Sequence, residues 1–171
     1  SDDLLLNLSI GQYDTYTPIE LTQYINTVAN NGNRIALSLM KEIVNEKGEI
    51  VLKNESKVLN TVDLEDKYKN RIKEGLRNVS LYGTGSFYID KKYKASSKTG
   101  TSESVLDTDK DGISDTYATT RTFVSYMPSD EPIYSLVIVS PNIDYKEREN
   151  TRTYPINMYL SRQVSKILFD N

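Results

Sequence analysis

The residues of this chain with the clearest capacity for chemistry form the run Lys98-Thr99-Gly100-Thr101, at the end of a predicted strand. A fixed lysine ammonium with hydroxyls beside it is suited to binding a carboxylate. Thr99 and Thr101 are two positions apart and therefore share one face of the strand. Gly100 has no side chain, so a substrate backbone can lie against it, and a backbone N–H here can stabilise an oxyanion. A Lys-Thr-Gly run at the end of a strand is, by itself, usually a turn into solvent, and it predicts a strand that binds a carboxylate-bearing substrate only together with other motifs.

Two missing residue types limit the chemistry further. The 171 residues, enough for one domain or a large piece of one, include no histidine and no cysteine. A Ser-His-Asp triad, a Cys-His pair and cysteine-based zinc sites are therefore excluded within this chain. Any general acid–base catalysis within this chain must use Lys, Asp, Glu or Tyr side chains. The formal net charge of -3 argues against a nucleic-acid partner, for which a basic patch is expected.

Three helices are predicted around these residues. Thr17 reads as an N-cap, Pro18 as the first helical residue and Glu20 as the partner in a capping box, followed by apolar residues at helical spacing. A second helix is predicted from about Leu64 to Val79. A closing helix is predicted from Tyr154 to Phe169.

Strand patterns fill most of the remaining chain. A hairpin is predicted from Leu37 to Val44 and from Glu49 to Leu52. Three further strands are predicted over Tyr93 to Thr101, Arg121 to Met127 and Ile133 to Val139. The order of helix, hairpin, helix, three strands and helix predicts an α+β fold, in which helices cover an antiparallel sheet.

Several runs, read in order, resemble the motifs of class B penicillin-binding proteins. The K-T-G triplet itself is shared by penicillin-binding proteins and class A β-lactamases. The matching runs, covering nearly the whole chain, are Ser9-Ile10-Gly11-Gln12, Thr17-Pro18-Ile19-Glu20-Leu21, Ala29-Asn30-Asn31-Gly32, Gly83-Thr84-Gly85, Lys98-Thr99-Gly100-Thr101-Ser102-Glu103 and Phe123-Val124-Ser125-Tyr126-Met127-Pro128. The last run departs from the family pattern: Thr122 stands before it in place of an aromatic residue, and Ser125 replaces a glycine.

The resemblance implies the C-terminal part of the serine β-lactamase/penicillin-binding transpeptidase fold. Residues 1–171 are then the C-terminal half of a transpeptidase domain, truncated so that the S-x-x-K and S-x-N motifs lie upstream. Ser38-Leu39-Met40-Lys41 and Ser140-Pro141-Asn142 match those motifs as text but at the wrong places in the order, the first on a predicted strand. Both are interpreted as coincidences. No catalytic residue is therefore expected in this chain.

The resemblance also implies a reaction. A lysine-activated serine attacks the penultimate D-Ala carbonyl of a peptidoglycan stem peptide, D-Ala leaves, and an amine from a neighbouring stem resolves the acyl-enzyme. Lys98, Thr99 and Thr101 would hold the substrate carboxylate, beside Gly100, and the amide of Thr101 would form half of the oxyanion hole. β-Lactams would acylate the same serine. No cofactor is required for this chemistry.

The same resemblance sets expectations for the parent protein. It is expected at the extracytoplasmic face of the bacterial membrane, anchored by an upstream segment, and in cell-wall synthesis complexes. The present piece is expected to be inactive alone. Its exposed sheet edges are expected to favour dimers. An alternative is a β-lactam sensor that binds without turnover, although such sensors resemble class D β-lactamases instead.

A second motif suggests metal binding. Asp107, Asp109, Asp111 and Asp115 occupy positions 1, 3, 5 and 9 of a run that resembles an EF-hand-type calcium loop. Position 12 is Ala118, so the bidentate glutamate of such loops is missing. The run predicts either a structural calcium site or a solvated acidic loop that joins two strands. A calcium-dependent surface module is the third functional alternative.

Overall fold

The computed structural model describes residues 2–11, 14–143 and 155–170, which form four α-helices and seven strands. In chain order these elements are α1 (Asp2–Ser9), α2 (Pro18–Ala29), β1 (Asn33–Ile35), β2 (Glu42–Val44), β3 (Ile50–Lys53), β4 (Val58–Thr61), α3 (Asp66–Leu81), β5 (Ser96–Leu106), β6 (Thr116–Met127), β7 (Tyr134–Ile143) and α4 (Ile156–Phe169). The predicted α+β class is confirmed. Gln12 and Tyr154, which belong to predicted features, lie outside the described residues.

The central sheet is antiparallel and has the order β5-β6-β7. All three predicted strands are present, but the first was placed too early. Tyr93 belongs to a short 3₁₀ turn, capped by the Asp90 carboxylate, which accepts a hydrogen bond from the Lys92 amide at 3.0 Å. β5 then runs as far as Leu106 because β6 pairs with its whole length. Lys98 therefore lies near the start of the strand, not at its end.

Apolar residues cover both faces of this sheet, as the alternation of side chains along a strand requires. On one face Phe123 is fully buried, and its ring stacks on that of Tyr88 with centroids 4.5 Å apart. On the other face Val124 and Tyr126 pack with Ile25 of α2. The sheet is thus the shared core of the described structure, and the apolar residues packed on its two faces hold β5 in place.

The end of α4 is fixed to the segment before β5. The Asp170 carboxylate accepts hydrogen bonds from the Tyr93 hydroxyl at 2.7 Å and from the Lys92 ammonium at 3.0 Å. These two donors, the tyrosine first, hold the pKa of Asp170 below its ordinary value. The Phe169 ring also stacks on Tyr93, with centroids 5.0 Å apart. Polar and aromatic contacts therefore secure this helix against the sheet.

The start of α2 is as predicted from local sequence. The Thr17 amide donates to the Glu20 carboxylate at 2.7 Å, and the Glu20 amide donates to the Thr17 hydroxyl at 3.4 Å. The Thr17 amide and the Thr17 hydroxyl both donate to the Glu20 carboxylate, and these two hydrogen bonds, the amide first, hold the pKa of Glu20 below its ordinary value. The capping box is thus confirmed, with Pro18 in the first turn.

The region between α2 and α3 is only partly as predicted. The hairpin exists as β2 paired with β3, but residues 37–41 are not a strand. The Ser38 hydroxyl accepts from the Met40 amide and donates to the Met40 carbonyl, and such local bonds compete with strand pairing. Instead β1 pairs with β4 across the hairpin, a contact that the sequence analysis did not predict.

The first helix was not predicted either. α1 exposes its leucines, with Leu5 71% and Leu6 66% exposed. Among the described helices, none combines the length and the apolar character needed to cross a bilayer.

Candidate substrate-binding strand

Within the described sheet β5 pairs only with β6, so its other edge is open. An open edge offers backbone N–H and C=O groups to an extended peptide. The Lys98 side chain is exposed, and its ammonium donates to the Thr99 carbonyl at 2.6 Å. None of the ion pairs found among the described residues involves Lys98. Its charge is therefore available to an anionic ligand.

Thr99 and Thr101 stand on the face of β5 opposite to that of Lys98. Thr101 is exposed, and Thr99 is partly buried, with its hydroxyl oxygen 2.7 Å from that of Thr84. Between them, Gly100 is directly opposite Thr122 of β6. A Cβ at Gly100 would collide with the Thr122 hydroxyl. Glycine is therefore required here for packing within the sheet.

The loop before β5 lies directly against the strand. Ser80, in the last turn of α3, forms a buried hydroxyl–hydroxyl hydrogen bond of 2.7 Å with Ser97. A Cβ at Gly85 would lie only 2.5 Å from the Ser97 hydroxyl oxygen. The sequence analysis identified this glycine-threonine loop but missed Ser80 and Ser97. The only local signal was the alternation of hydroxyl residues at Ser97 and Thr99.

A serine in the family's glycine position is predicted to reduce stability. Ser125 lies opposite Ser97, is fully buried, and its hydroxyl finds no hydrogen-bond partner among the described residues. A buried hydroxyl without a partner costs about 1–3 kcal/mol. Ser125→Ala is therefore expected to leave the free energy of unfolding unchanged or raise it by about 1 kcal/mol.

Ser97→Ala provides the matched comparison, because it removes the partner of the Ser80 hydroxyl. The free energy of unfolding of this variant is expected to fall by about 1–3 kcal/mol. Urea denaturation of both variants measures the two changes. A greater loss of stability for Ser125→Ala than for Ser97→Ala would contradict this interpretation.

The acidic run forms the turn between β5 and β6. Carboxylate oxygens of Asp107, Asp109 and Asp115 lie within 4.8 Å of one another. Asp111 is not part of this group, and its carboxylate accepts from the Ile113 amide at 2.8 Å. Thr108 donates to Asp115 through its hydroxyl at 2.8 Å, which is the main reason that the pKa of Asp115 is lowered. The structure thus brings together three of the four predicted ligands.

The two runs that match the S-x-x-K and S-x-N motifs by coincidence are Ser38 to Lys41 and Ser140 to Asn142. The Ser38 hydroxyl bonds to the Met40 backbone rather than to Lys41. The Ser140 hydroxyl is buried and donates to Asn157 at 2.5 Å, and Asn142 accepts from the Ser104 hydroxyl at 3.0 Å. In both runs the hydrogen bonds are structural.

The α+β fold and β5 together indicate one protein family. Comparison with known proteins identifies that family. The sequence profile of the penicillin binding protein transpeptidase domain matches residues 1–156. The chain belongs to this family.

Among curated proteins the chain is similar to penicillin-binding protein 2A of Bacillus subtilis, with 38% identity over 97% of this chain and 24% of the relative. It is also similar to penicillin-binding protein H of the same organism, with 30% identity over 86% of this chain and 21% of the relative. The chain thus spans less than a quarter of the length of these relatives.

Solved structures agree with this assignment. Penicillin-binding protein 2B of Streptococcus pneumoniae strain R6 aligns with a TM-score of 0.71 and 28% identity, over 94% of this chain and 26% of that one. Penicillin-binding protein A of Mycobacterium tuberculosis, an imipenem acyl-enzyme complex, aligns with a TM-score of 0.63 over 90% of this chain and 32% of that one. Its identity of 13% supports the fold alone. The predicted resemblance to class B penicillin-binding proteins and the predicted fold are confirmed.

Proposed function

We propose that this chain supplies the substrate-binding strand of a serine-type D,D-transpeptidase that cross-links peptidoglycan stem peptides. The observation that carries the proposal is the open edge of β5, where the exposed Lys98 ammonium has no carboxylate partner among the described residues. Because the chain belongs to the transpeptidase family, we expect this edge to bind a peptidoglycan stem peptide.

The chemistry follows from the groups on β5. The Thr99 and Thr101 hydroxyls, on one face of β5, donate hydrogen bonds to the carboxylate of the terminal D-Ala. The Lys98 side chain leaves the opposite face, and its ammonium, which lies 2.6 Å from the Thr99 carbonyl, supplies positive charge to the same carboxylate at the open edge. The stem peptide lies extended along the open edge, where Gly100 leaves room for it. The Thr101 amide forms half of the oxyanion hole. The serine nucleophile and its lysine base come from a part of the parent protein outside this chain, so the chain alone forms no acyl-enzyme.

β-Lactams are the second ligand class in this proposal, since they carry a carboxylate that can occupy the same position. The 38% identity to penicillin-binding protein 2A of Bacillus subtilis, a relative named for penicillin binding, supports this assignment. We place the parent protein at the extracytoplasmic face of the bacterial membrane, anchored outside this chain and acting with other cell-wall synthesis proteins.

Intact-mass spectrometry after exposure to penicillin tests the proposal. The parent protein is expected to gain one penicilloyl group, and this chain alone is expected to gain none. A folded parent protein without an adduct would contradict the transpeptidase function. An adduct without cross-linking of stem peptides would favour a β-lactam sensor instead.

We also propose that the turn between β5 and β6 binds a structural calcium ion. The support is the group formed by Asp107, Asp109 and Asp115, whose carboxylate oxygens suit this hard cation. With the ligand set incomplete, the dissociation constant is expected at about 0.1–1 mM, as in weak extracellular sites.

Calorimetric titration with calcium chloride checks this expectation. Asp109→Asn is expected to weaken binding, whereas Asp111→Asn is the matched control, because Asp111 lies outside the group of three. An absence of heat at millimolar calcium would argue that the turn is only a solvated acidic loop. Equal losses of affinity in the two variants would contradict the assignment of the site to the group of three.

A further inference from the structure

Two hydroxyl pairs connect α3 and its following loop to β5. Ser80 pairs with Ser97 at 2.7 Å, and Thr84 pairs with Thr99 at 2.7 Å. Ser97 and Thr99 are two positions apart on one face of the strand, so the pairs are successive steps along it. The second pair includes Thr99, which in the proposed function binds the substrate carboxylate.

The loop that carries Thr84 is held in a fixed position. The amides of Gly83 and Gly85 both donate to the Val79 carbonyl, at 3.1 and 3.2 Å. A Cβ at Gly83 would lie 3.0 Å from the Val79 Cα, and one at Gly85 would lie 3.2 Å from the Val79 Cγ1. The two glycines thus allow the loop to fold back onto the last turn of α3, with Thr84 facing β5.

The number of protons on two hydroxyl groups decides the direction of the hydrogen bond. Each threonine hydroxyl has one proton to donate and can accept two hydrogen bonds. A substrate carboxylate only accepts, so Thr99 must give its single proton to it. The bond of 2.7 Å between the two hydroxyls then persists only if Thr84 is its donor.

We propose that Thr84 is a positioning residue, which donates its hydroxyl proton to Thr99 and thereby turns the Thr99 proton towards the substrate carboxylate. The inference rests on the proposed function and adds to it a residue outside the four on β5. A donor behind Thr99 also polarises its hydroxyl, and chains of hydrogen bonds strengthen one another in this way.

The test uses the parent protein and compares acylation by benzylpenicillin with acylation by its methyl ester, which lacks the carboxylate charge. Thr84→Val is expected to lower the second-order acylation rate with the acid about tenfold, which corresponds to about 1.4 kcal/mol of transition-state binding. The ester rate is expected to change less than twofold. Thr84→Ser, which keeps the hydroxyl, is expected to stay within twofold of wild type for both compounds.

A double-variant cycle separates positioning from a merely structural role. In a Thr99→Val background, Thr84→Val is expected to have no further effect on the acid rate, because the group that it positions is gone. Thr84→Ala removes the same hydroxyl without an added methyl and serves if Thr84→Val is poorly folded.

Three results would overturn the inference. They are an acid rate that Thr84→Val leaves unchanged, equal slowing of acid and ester, and full additivity in the Thr99→Val background. A wild-type parent protein that neither compound acylates would instead overturn the proposed function, and this inference with it.

Discussion

Lys98→Ala in the parent protein is expected to lower the second-order rate of β-lactam acylation about 100-fold. In the proposed function the lysine supplies a charge-assisted hydrogen bond to the ligand carboxylate, and loss of one such bond is worth about 1.5–3 kcal/mol. Each 1.36 kcal/mol of transition-state binding is about tenfold in rate. Stopped-flow measurement with a fluorescent penicillin gives the rate directly.

Lys94→Ala is the matched control, because Lys94 precedes β5 and forms an exposed ion pair with Asp130 at 3.2 Å. It is expected to change the rate less than twofold, as exposed ion pairs contribute little. If Lys98→Ala reacted as fast as wild type, or if the two variants were slowed equally, Lys98 would have no special role in ligand binding.

Phe123→Ala is expected to lower the free energy of unfolding by about 3–5 kcal/mol, a larger loss than that expected for Ser97→Ala. The ring is fully buried, stacks on Tyr88 and lies directly opposite Thr99 in the sheet. Its removal leaves a cavity beside β5, which surrounding residues fill only in part.

Tyr117→Ala is the comparison for this variant, since Tyr117 is on the same strand but 65% exposed. A change within about 0.5 kcal/mol is expected there. Urea denaturation midpoints give both values. A loss below about 1 kcal/mol for Phe123→Ala would mean that the face of the sheet carrying Phe123 is not a core.

The features that sequence analysis predicted well depend on neighbouring residues or on simple alternation. The capping box at Thr17 and Glu20 joins residues three apart, so their types alone indicate it. Two of the three central strands, β6 and β7, follow from runs of apolar residues such as Phe123-Val124 and Leu136-Val137-Ile138. These signals need no knowledge of distant contacts.

The features that were missed depend on contacts between distant residues. Residues of β4 are exposed and polar or aliphatic without a clear pattern, and only pairing with β1 makes them a strand. The hydrogen bond between Thr84 and Thr99 exists because α3 ends beside β5, which no local pattern specifies. The extension of β5 to Leu106 similarly depends on its pairing with β6.

The structure shows what each of the two departures from the family pattern on β6 contacts. Thr122 places its hydroxyl against Gly100, so any larger residue at Gly100 would displace it. Ser125 buries a hydroxyl that has no partner among the described residues. Sequence alone indicates neither contact, because both depend on the register between β5 and β6.

A crystal structure of the penicillin-acylated parent protein would show whether the strand from Lys98 to Thr101 binds the ligand carboxylate. We expect the penicillin carboxylate within about 3.2 Å of the Lys98 ammonium or the Thr99 and Thr101 hydroxyls. We also expect the Thr84 hydroxyl still bonded to Thr99. A carboxylate bound elsewhere, with β5 making no contact to it, would contradict the account.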